Sequence, residues 1–485
     1  MTRVAIIGGG IGGLTSALLL HKQGIDVTVF ERSSKVGGRI VFEEEGPYRI
    51  DQGPTIVLLP EMIHSILEEA GISRDRLELL RCDPLYRIHY HDGKALTKRA
   101  DTQAQVTEIE SIFPGEGRGF KRFMADLDAM YPAGQAGFLE KGFQRKRDFF
   151  TPKLMYLMLK MQAHKSIRGA VGQYFRSEEL KDAYSLQSLY IGGSPFETPG
   201  IYSLLPYAEH KYGVWMVKGG YGSLPELLSE ELVTRKIPFQ LNTEVESIIV
   251  KNAKFTGVKV NGQIESFDAV IYNGEFPHLK GLIEGSEVPA KKKVFRPSSG
   301  CVLVYLGVER RWEESMTHQF FLPPSLNTSL REIFLERKIA SSPSFYVFNP
   351  VALDEKAAPS GHSVMYFLIP VPDAQGVDWD IEVPSLVDKV LQEAEDRGFQ
   401  GLREAIRWKK IRTPQDAEQD GLFGGGSFGI APTLSQSGVF RPQSRPYSIE
   451  GLYTAGASVH PGGGVPIVMQ GARLAVNQLM KEMSL

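Results

Sequence analysis

The segment Gly8-Gly9-Gly10-Ile11-Gly12-Gly13 is followed, eighteen residues past Gly13, by Glu31. Glycines at this spacing leave backbone N–H groups free to cradle a pyrophosphate, and the acid can bond ribose hydroxyls. Gly8 permits the tight turn, Gly10 lets backbone approach phosphate, and Gly13 lets a helix pack on a strand; Ile11 and Gly12 lie in the same turn. A second glycine pair, Val36-Gly37-Gly38-Arg39, comes just after Glu31 and precedes Asp51-Gln52-Gly53-Pro54-Thr55. It offers further N–H groups to a ribitol and pyrophosphate, with Arg39 to offset phosphate charge. The opening fingerprint suits NAD and FAD equally. The second pair selects FAD.

The elements needed to hold these groups are present in order. Val4-Ala5-Ile6-Ile7 reads as a buried strand, and Leu14, Ala17, Leu18 and Leu20 give the next segment an apolar helical face. Gly24 supplies the stop, and Asp26-Val27-Thr28-Val29-Phe30 is a second strand delivering Glu31 at its carboxyl end.

Composition narrows the class. The chain has 485 residues, with 55 basic and 57 acidic side chains and a net charge of −2. Such a balance gives no electrostatic case for nucleic acid. Two cysteines, Cys82 and Cys301, make neither a disulfide framework nor a metal site, which fits a reducing cytoplasm. No charged-then-apolar leader precedes Val4, and no apolar run approaches the roughly twenty residues of a membrane span. One segment, Pro152 to Met161, is dense in leucine and methionine and flanked by Lys153, Lys160, Lys165 and Arg168. It reads either as a helix lining a pocket or as an amphipathic helix on a membrane surface.

Further strands are expected at Pro238–Leu241, Glu244–Val250 and Asp268–Tyr272, with an Asn261-Gly262 hairpin between Phe255–Val260 and Gln263–Phe267. Gly451–Gly456 reads as one more strand and turn before a final helix, Ile467–Met480. The nucleotide domain is therefore discontinuous. The expected division is an FAD-binding domain at 1–85, 215–290 and 446–485, a substrate domain at 86–110 and 291–445, and a helical insertion at 111–214. Within these, Gly119–Met130 and Lys153–Tyr174 read as helices. Cys301–Leu306 and Val364–Ile369 read as strands, and Pro384–Ala394 as a helix with proline in its first turn. The turn-rich stretch Gly421–Pro446 reads as a functional loop.

Taken together, several motifs resemble those of the flavin amine oxidase/carotenoid desaturase superfamily, and specifically the bacterial phytoene desaturase family. They are Phe30-Glu31 through Gly37-Gly38-Arg39; Ile50 to Thr55; Gly213-Val214-Trp215 with Lys218-Gly219-Gly220; and the tail Gly456 to Pro466. The likeness spans the whole chain and is strongest to dehydrosqualene (4,4′-diapophytoene) desaturases. It implies an α/β fold with a Rossmann-like FAD-binding domain, a mixed-sheet substrate domain and a helical insertion. It also implies desaturation of a linear terpenoid polyene, thirty carbons long, with a forty-carbon substrate, a carotenoid oxygenase or isomerase, and an amine oxidase as alternatives.

By the same resemblance, Val245 lies against the adenine through its backbone. Arg39, Gly53, Pro54, Thr55, Gly456, Ala457, Pro461, Gly464, Val465 and Pro466 surround the ribitol and ring. Ala457 stands where many flavoproteins place an acid, so its part is confined to backbone. His460 is the polar side chain the motif sets nearest the ring, read either as a positioned catalytic group or as a structural histidine bonding a carbonyl. Members that oxidise terminal methyl groups tend to carry Asn there, which leans away from that branch. Arg147-Asp148 resembles a pair that assists proton removal, or else it is a solvated face or helix cap. Pro195-Phe196, Trp215, Phe423 and Phe428 read either as lining of a substrate tunnel or as plain core, and no metal site is expected. Substrates this apolar imply peripheral attachment to the inner face of the cell membrane, through Leu154, Met158 and Met161, and electrons passed to dioxygen or a quinone.

Overall fold

The computed structural model describes residues 2–285 and 293–484. The expected boundary between 290 and 291 lies outside the described residues. Five strands form a parallel sheet in the order β5-β4-β1-β2-β3, where β1 is Arg3–Ile7, β2 Asp26–Phe30, β3 Phe239–Gln240, β4 Ala269–Tyr272 and β5 Leu452–Thr454. Its strands come from both ends and the middle of the chain. The nearly continuous apolar runs of β1 and β4 suit a sheet covered on both faces. Helix α1, Ile11–Lys22, follows β1 and is buried on every side from Ile11 to Leu20, rather than along one face. The reason is its place between the sheet and two other helices, Ser223–Thr234 and Val465–Glu482.

A four-stranded sheet holds the Asn-Gly hairpin. Asn261 and Gly262 both have positive φ (49° and 73°), as the two-residue turn between twisted strands demands. A seven-stranded sheet runs in the order Ile406–Arg412, Gly300–Val308, Ser363–Val371, Phe345–Phe348, His318–Phe321, Tyr86–His89, Ala95–Lys98. It is antiparallel throughout except where His318–Phe321 meets Tyr86–His89 in parallel, so the sheet is mixed.

Three expected helices differ. Lys153–Tyr174 is two helices, Pro152–Lys160 and Ile167–Val171, with Thr151 and Ser166 each capping its own through a side-chain oxygen. The helix containing Pro384 begins at Trp379, because Asp378 caps it. Pro384 thus sits in the second turn, where its missing N–H does break a bond. The final helix starts at Val465, with Pro466 in its first turn where no donor is needed.

Candidate functional site

The glycine turn at the end of β1 is built for close approach. Gly8 has φ +100°, and a Cβ at Gly13 would overlap the Gly8 carbonyl oxygen. Gly10 is the N-cap of α1, so the helix presents its free N–H groups and positive end to this turn. Glu31, buried at the carboxyl end of β2, is pinned in advance. Its Oε2 accepts from Gly9 N at 2.6 Å, and its Oε1 accepts from Ser33 N at 2.8 Å and Ser33 Oγ at 2.7 Å.

From this turn one cavity of about 1610 Å³ runs through the protein. Gly8, Gly10, Ile11, Gly12, Glu31, Gly37, Gly38, Arg39 and Val245 line one part of it, and Gly53, Pro54 and Thr55 continue the wall. Gly456, Ala457, His460, Pro461, Gly464, Val465 and Pro466 line it as well. Gly13 is not on the wall; it acts through the contact with Gly8. The cavity then passes between apolar side chains, among them Phe138, Phe149, Leu186, Tyr190, Leu204 and Phe320.

The second turn is held by side chains distant in sequence. Arg441 is buried and donates to the carbonyls of Ala457 (2.6 Å), Val459 (3.3 Å) and Gln436 (3.3 Å). Burial lowers its guanidinium to about 10, which leaves it charged at neutral pH. The Ala457 carbonyl is thus engaged by Arg441, which brings a charge to this turn where Ala457 itself has none. Ser458 donates to the buried Glu275 carboxylate, which also pairs with Arg39. Arg39, expected to meet phosphate, thus has Glu275 as its standing partner, and it donates to Ser427 O at 3.3 Å. Burial, and secondarily Arg412, lower Arg39 to about 10.

His460, joined to Pro461 by a cis peptide, is buried edge-to-face on Phe143. Its Nε2 lies 2.9 Å from the Lys141 carbonyl, so Nε2–H donates and Nδ1 keeps a lone pair without a partner. Burial pulls the imidazole down to about 4, so it is neutral at physiological pH. The backbone-carbonyl bond expected of a structural histidine is present; the residue also lines the cavity, with its unpartnered Nδ1 shielded by neighbouring groups.

Arg147 and Asp148 are not on the wall. Asp148 accepts from Arg145 N at 3.0 Å and caps the short helix Lys146–Phe149, while Arg147 is exposed. Of the expected aromatic lining, Phe428 reaches the cavity. Phe423 packs on His278, Phe196 is on the surface under Arg168, and Trp215 belongs to the strand Val214–Val217.

Two further residues matter that the sequence motifs did not mark. Asn273, just past β4, donates through Nδ2 to Gly8 O (3.3 Å), and its buried Oδ1 has no partner. A Cβ at Gly12 would overlap that Oδ1. Glu275 follows two residues later. Their signal was positional: they lie at the carboxyl end of a strand beside β1, where open parallel sheets bind ligands. Asp51 accepts from Tyr221 N and Gly222 N, both at 2.9 Å, and so ties the Lys218-Gly219-Gly220 motif to the Asp51–Thr55 motif.

These features fit FAD: a glycine cradle that side chains would fill, a helix N-terminus facing it, a preset ribose acid and an orphaned Asn273 oxygen. The fold and site define a flavin-dependent oxidoreductase. The family model described as flavin containing amine oxidoreductase matches residues 11–480. The chain is 46% identical to a 4,4′-diapolycopen-4-al dehydrogenase of Metabacillus indicus, over 99% of this chain and 97% of that protein. It is 30% identical to a 4,4′-diapophytoene desaturase of Staphylococcus aureus, over 99% of both. A solved oxidoreductase from Methanosarcina mazei shares the fold at TM-score 0.68 and 17% identity, over 99% of this chain and 100% of that one. The chain belongs to the flavin-containing amine oxidoreductase family, in its carotenoid desaturase branch, and its cofactor is FAD.

Proposed function

We infer that the protein desaturates a linear terpenoid polyene, thirty carbons long, drawn from a membrane. The observation that carries this is the single cavity joining the FAD cradle to a long apolar, aromatic wall. Among the described residues Lys35, at the nucleotide end, is the one lysine on that wall, which suits a hydrocarbon better than an amine. Gly8 to Gly13, Glu31, Gly37, Gly38, Gly53 to Thr55, Val245 and the Gly456–Pro466 turn would hold FAD. Bound there, it supplies a two-electron oxidation that no side chain can perform.

The chain's own task is to position the polyene and keep water out, since an electron-deficient carbon would be trapped by water. A C–H bond next to such a carbon is strongly acidic, so a weak base suffices to take its proton. Neutral His460 is the candidate base on this wall. Its Nδ1 is unpartnered but shielded by its neighbours, so proton transfer to it requires the bound substrate to open a path to that atom. A base of higher pKa would be charged at neutral pH and ill placed in an apolar wall.

Delivery from lipid is supported by helix Pro152–Lys160. None of the described helices is long and apolar enough to cross a membrane. Leu154 and Met161, expected at the membrane surface, are buried, and Met158 lines the cavity. The outward residues are Tyr156 (68% exposed) and Leu159 (66%), with Phe150 nearby and Lys153 and Lys160 exposed at either end. The helix thus joins the cavity wall to an apolar, cationic surface, suited to the headgroup boundary of an anionic leaflet.

A second reading, oxidation of an aldehyde at the polyene terminus, is favoured by the name of the 46% identical relative. Making an acid from an aldehyde consumes water, which the apolar wall resists, so desaturation is preferred. Expression beside thirty- and forty-carbon polyene synthases, with product spectra and masses, tests both. New conjugated double bonds without oxygen are expected. Oxygen-bearing products alone, or turnover of amines and not polyenes, would overturn the reading.

A further inference from the structure

Thr55 stands on the cavity wall with its Oγ1 2.7 Å from the hydroxyl of Tyr346, also on the wall. The same hydroxyl lies 2.6 Å from Nδ1 of His318, which is fully buried. His318 stacks between Tyr346 and Phe348, at 17° and 16° interplanar, and its Nε2 has no partner. Three side chains therefore form one hydrogen-bonded line whose outer end is Thr55.

The line has two possible polarities, set by where the imidazole carries its proton. With the proton on Nε2, a fully buried N–H lacks any acceptor, Tyr346 donates inward to Nδ1, and Thr55 donates to Tyr346. With the proton on Nδ1, His318 donates to Tyr346, and Tyr346 donates to Thr55 Oγ1. Only a lone pair on Nε2 is then left unpaired. Buried donors are almost always satisfied, more strictly than acceptors. The second polarity is the cheaper one. Burial keeps His318 neutral, near 3, so it carries a single ring proton. In this arrangement one lone pair of Thr55 Oγ1 is taken by Tyr346, and its own O–H remains available to donate.

We propose that His318 and Tyr346 are positioning residues that turn Thr55 into a fixed hydrogen-bond donor toward the flavin ring. The proposal rests on the FAD placement above, which sets Thr55 beside that ring. A donor at this point favours the reduced ring, which carries more electron density, and so raises the midpoint potential.

The test uses FAD-loaded full-length protein, measuring midpoint potential, flavin absorption spectrum and FAD affinity for Thr55→Val, Tyr346→Phe and His318→Phe. Thr55→Val is expected to disfavour the reduced form about tenfold, about 30 mV for a two-electron couple. Tyr346→Phe and His318→Phe should move the potential in the same direction by less, and Tyr346→Phe added to Thr55→Val should add nothing. A Tyr346→Phe protein that holds FAD at wild-type potential overturns the relay. An unshifted Thr55→Val potential overturns it too, and removes Thr55 from the ring. If His318→Phe does not fold, Tyr346→Phe decides alone. Failure of the polyene reading would appear in product analysis and would leave these potentials as they are.

Discussion

The turns at Gly8–Gly13 and Gly456–Pro466 reach the same cavity but differ in how far their support comes from outside. The first is held largely within one strand–helix–strand unit, where Leu14 N bonds Gly10 O and Gly9 N bonds Glu31, with Asn273 Nδ2 on Gly8 O added from outside. The second depends on groups outside its own unit, with the Arg441 side chain on its carbonyls, Glu275 on Ser458 and the backbone carbonyl of Lys141 on His460. A turn built from local geometry is sensitive to volume at its glycines. A turn held from outside is sensitive to its partners.

The largest effect is expected at the first turn. Gly13→Val drives a side chain into the Gly8 carbonyl, and flavin retention should fall at least about 100-fold, ~3 kcal/mol. The flavin-to-protein ratio measures it. Normal loading would show that the first turn is less rigid than its geometry implies.

At the second turn, His460→Ala should keep FAD and lose turnover by about ten- to a thousandfold, the range for one positioned group. Anaerobic flavin reduction rate beside flavin loading separates this from a structural loss. The pH dependence has a definite sign. His460 has its folded pKa lowered to about 4, below the unfolded value near 6.5. Its contribution to stability is therefore complete above about pH 6.5 and is lost as pH falls toward 4, by about 3 kcal/mol. Turnover limited by neutral His460 should hold steady above pH 5 and decline through pH 4. A decline centred near 6.5 would mean an exposed, ordinary imidazole.

Arg441→Met should cost roughly 2–4 kcal/mol, because three carbonyls lose a charged donor. Thermal unfolding with and without FAD would show it, and an unchanged midpoint would mean the turn stands without outside support. Glu31→Ala should weaken FAD binding by roughly 1–3 kcal/mol, the cost of losing a hydrogen-bonded ribose hydroxyl. The smallest effect is expected at the surface. Tyr156→Ser with Leu159→Ser should reduce sedimentation with anionic liposomes by about threefold, from the apolar area removed. Leu154→Ser and Met161→Ser should instead lower stability, since both side chains are buried.

The nucleotide half of this protein was legible in its amino-acid order because each requirement there is local. A glycine with positive φ, an acid at a strand end and an Asn-Gly turn are each set by a few consecutive residues. The apolar runs of β1 and β4 likewise announced a sheet covered on both faces. The reacting end was different. His460 could be placed near the cofactor, but its neutral state and unpartnered Nδ1 follow from burial and from the Lys141 carbonyl, 319 residues away. Arg147-Asp148 had the right residue types, yet Asp148 caps its own helix, a bond that competes at short range with any catalytic use. The helix at Pro152–Lys160 had a composition suited to core or membrane alike, and only packing decided that Leu154 faces in and Leu159 faces out. Sequence by itself determined the cofactor and the sheet that carries it. Tertiary structure alone decided the charge states, the partners of Arg39 and His460, and the Thr55–Tyr346–His318 line. Burial and long-range contacts set those energies, and neither is written in residue spacing.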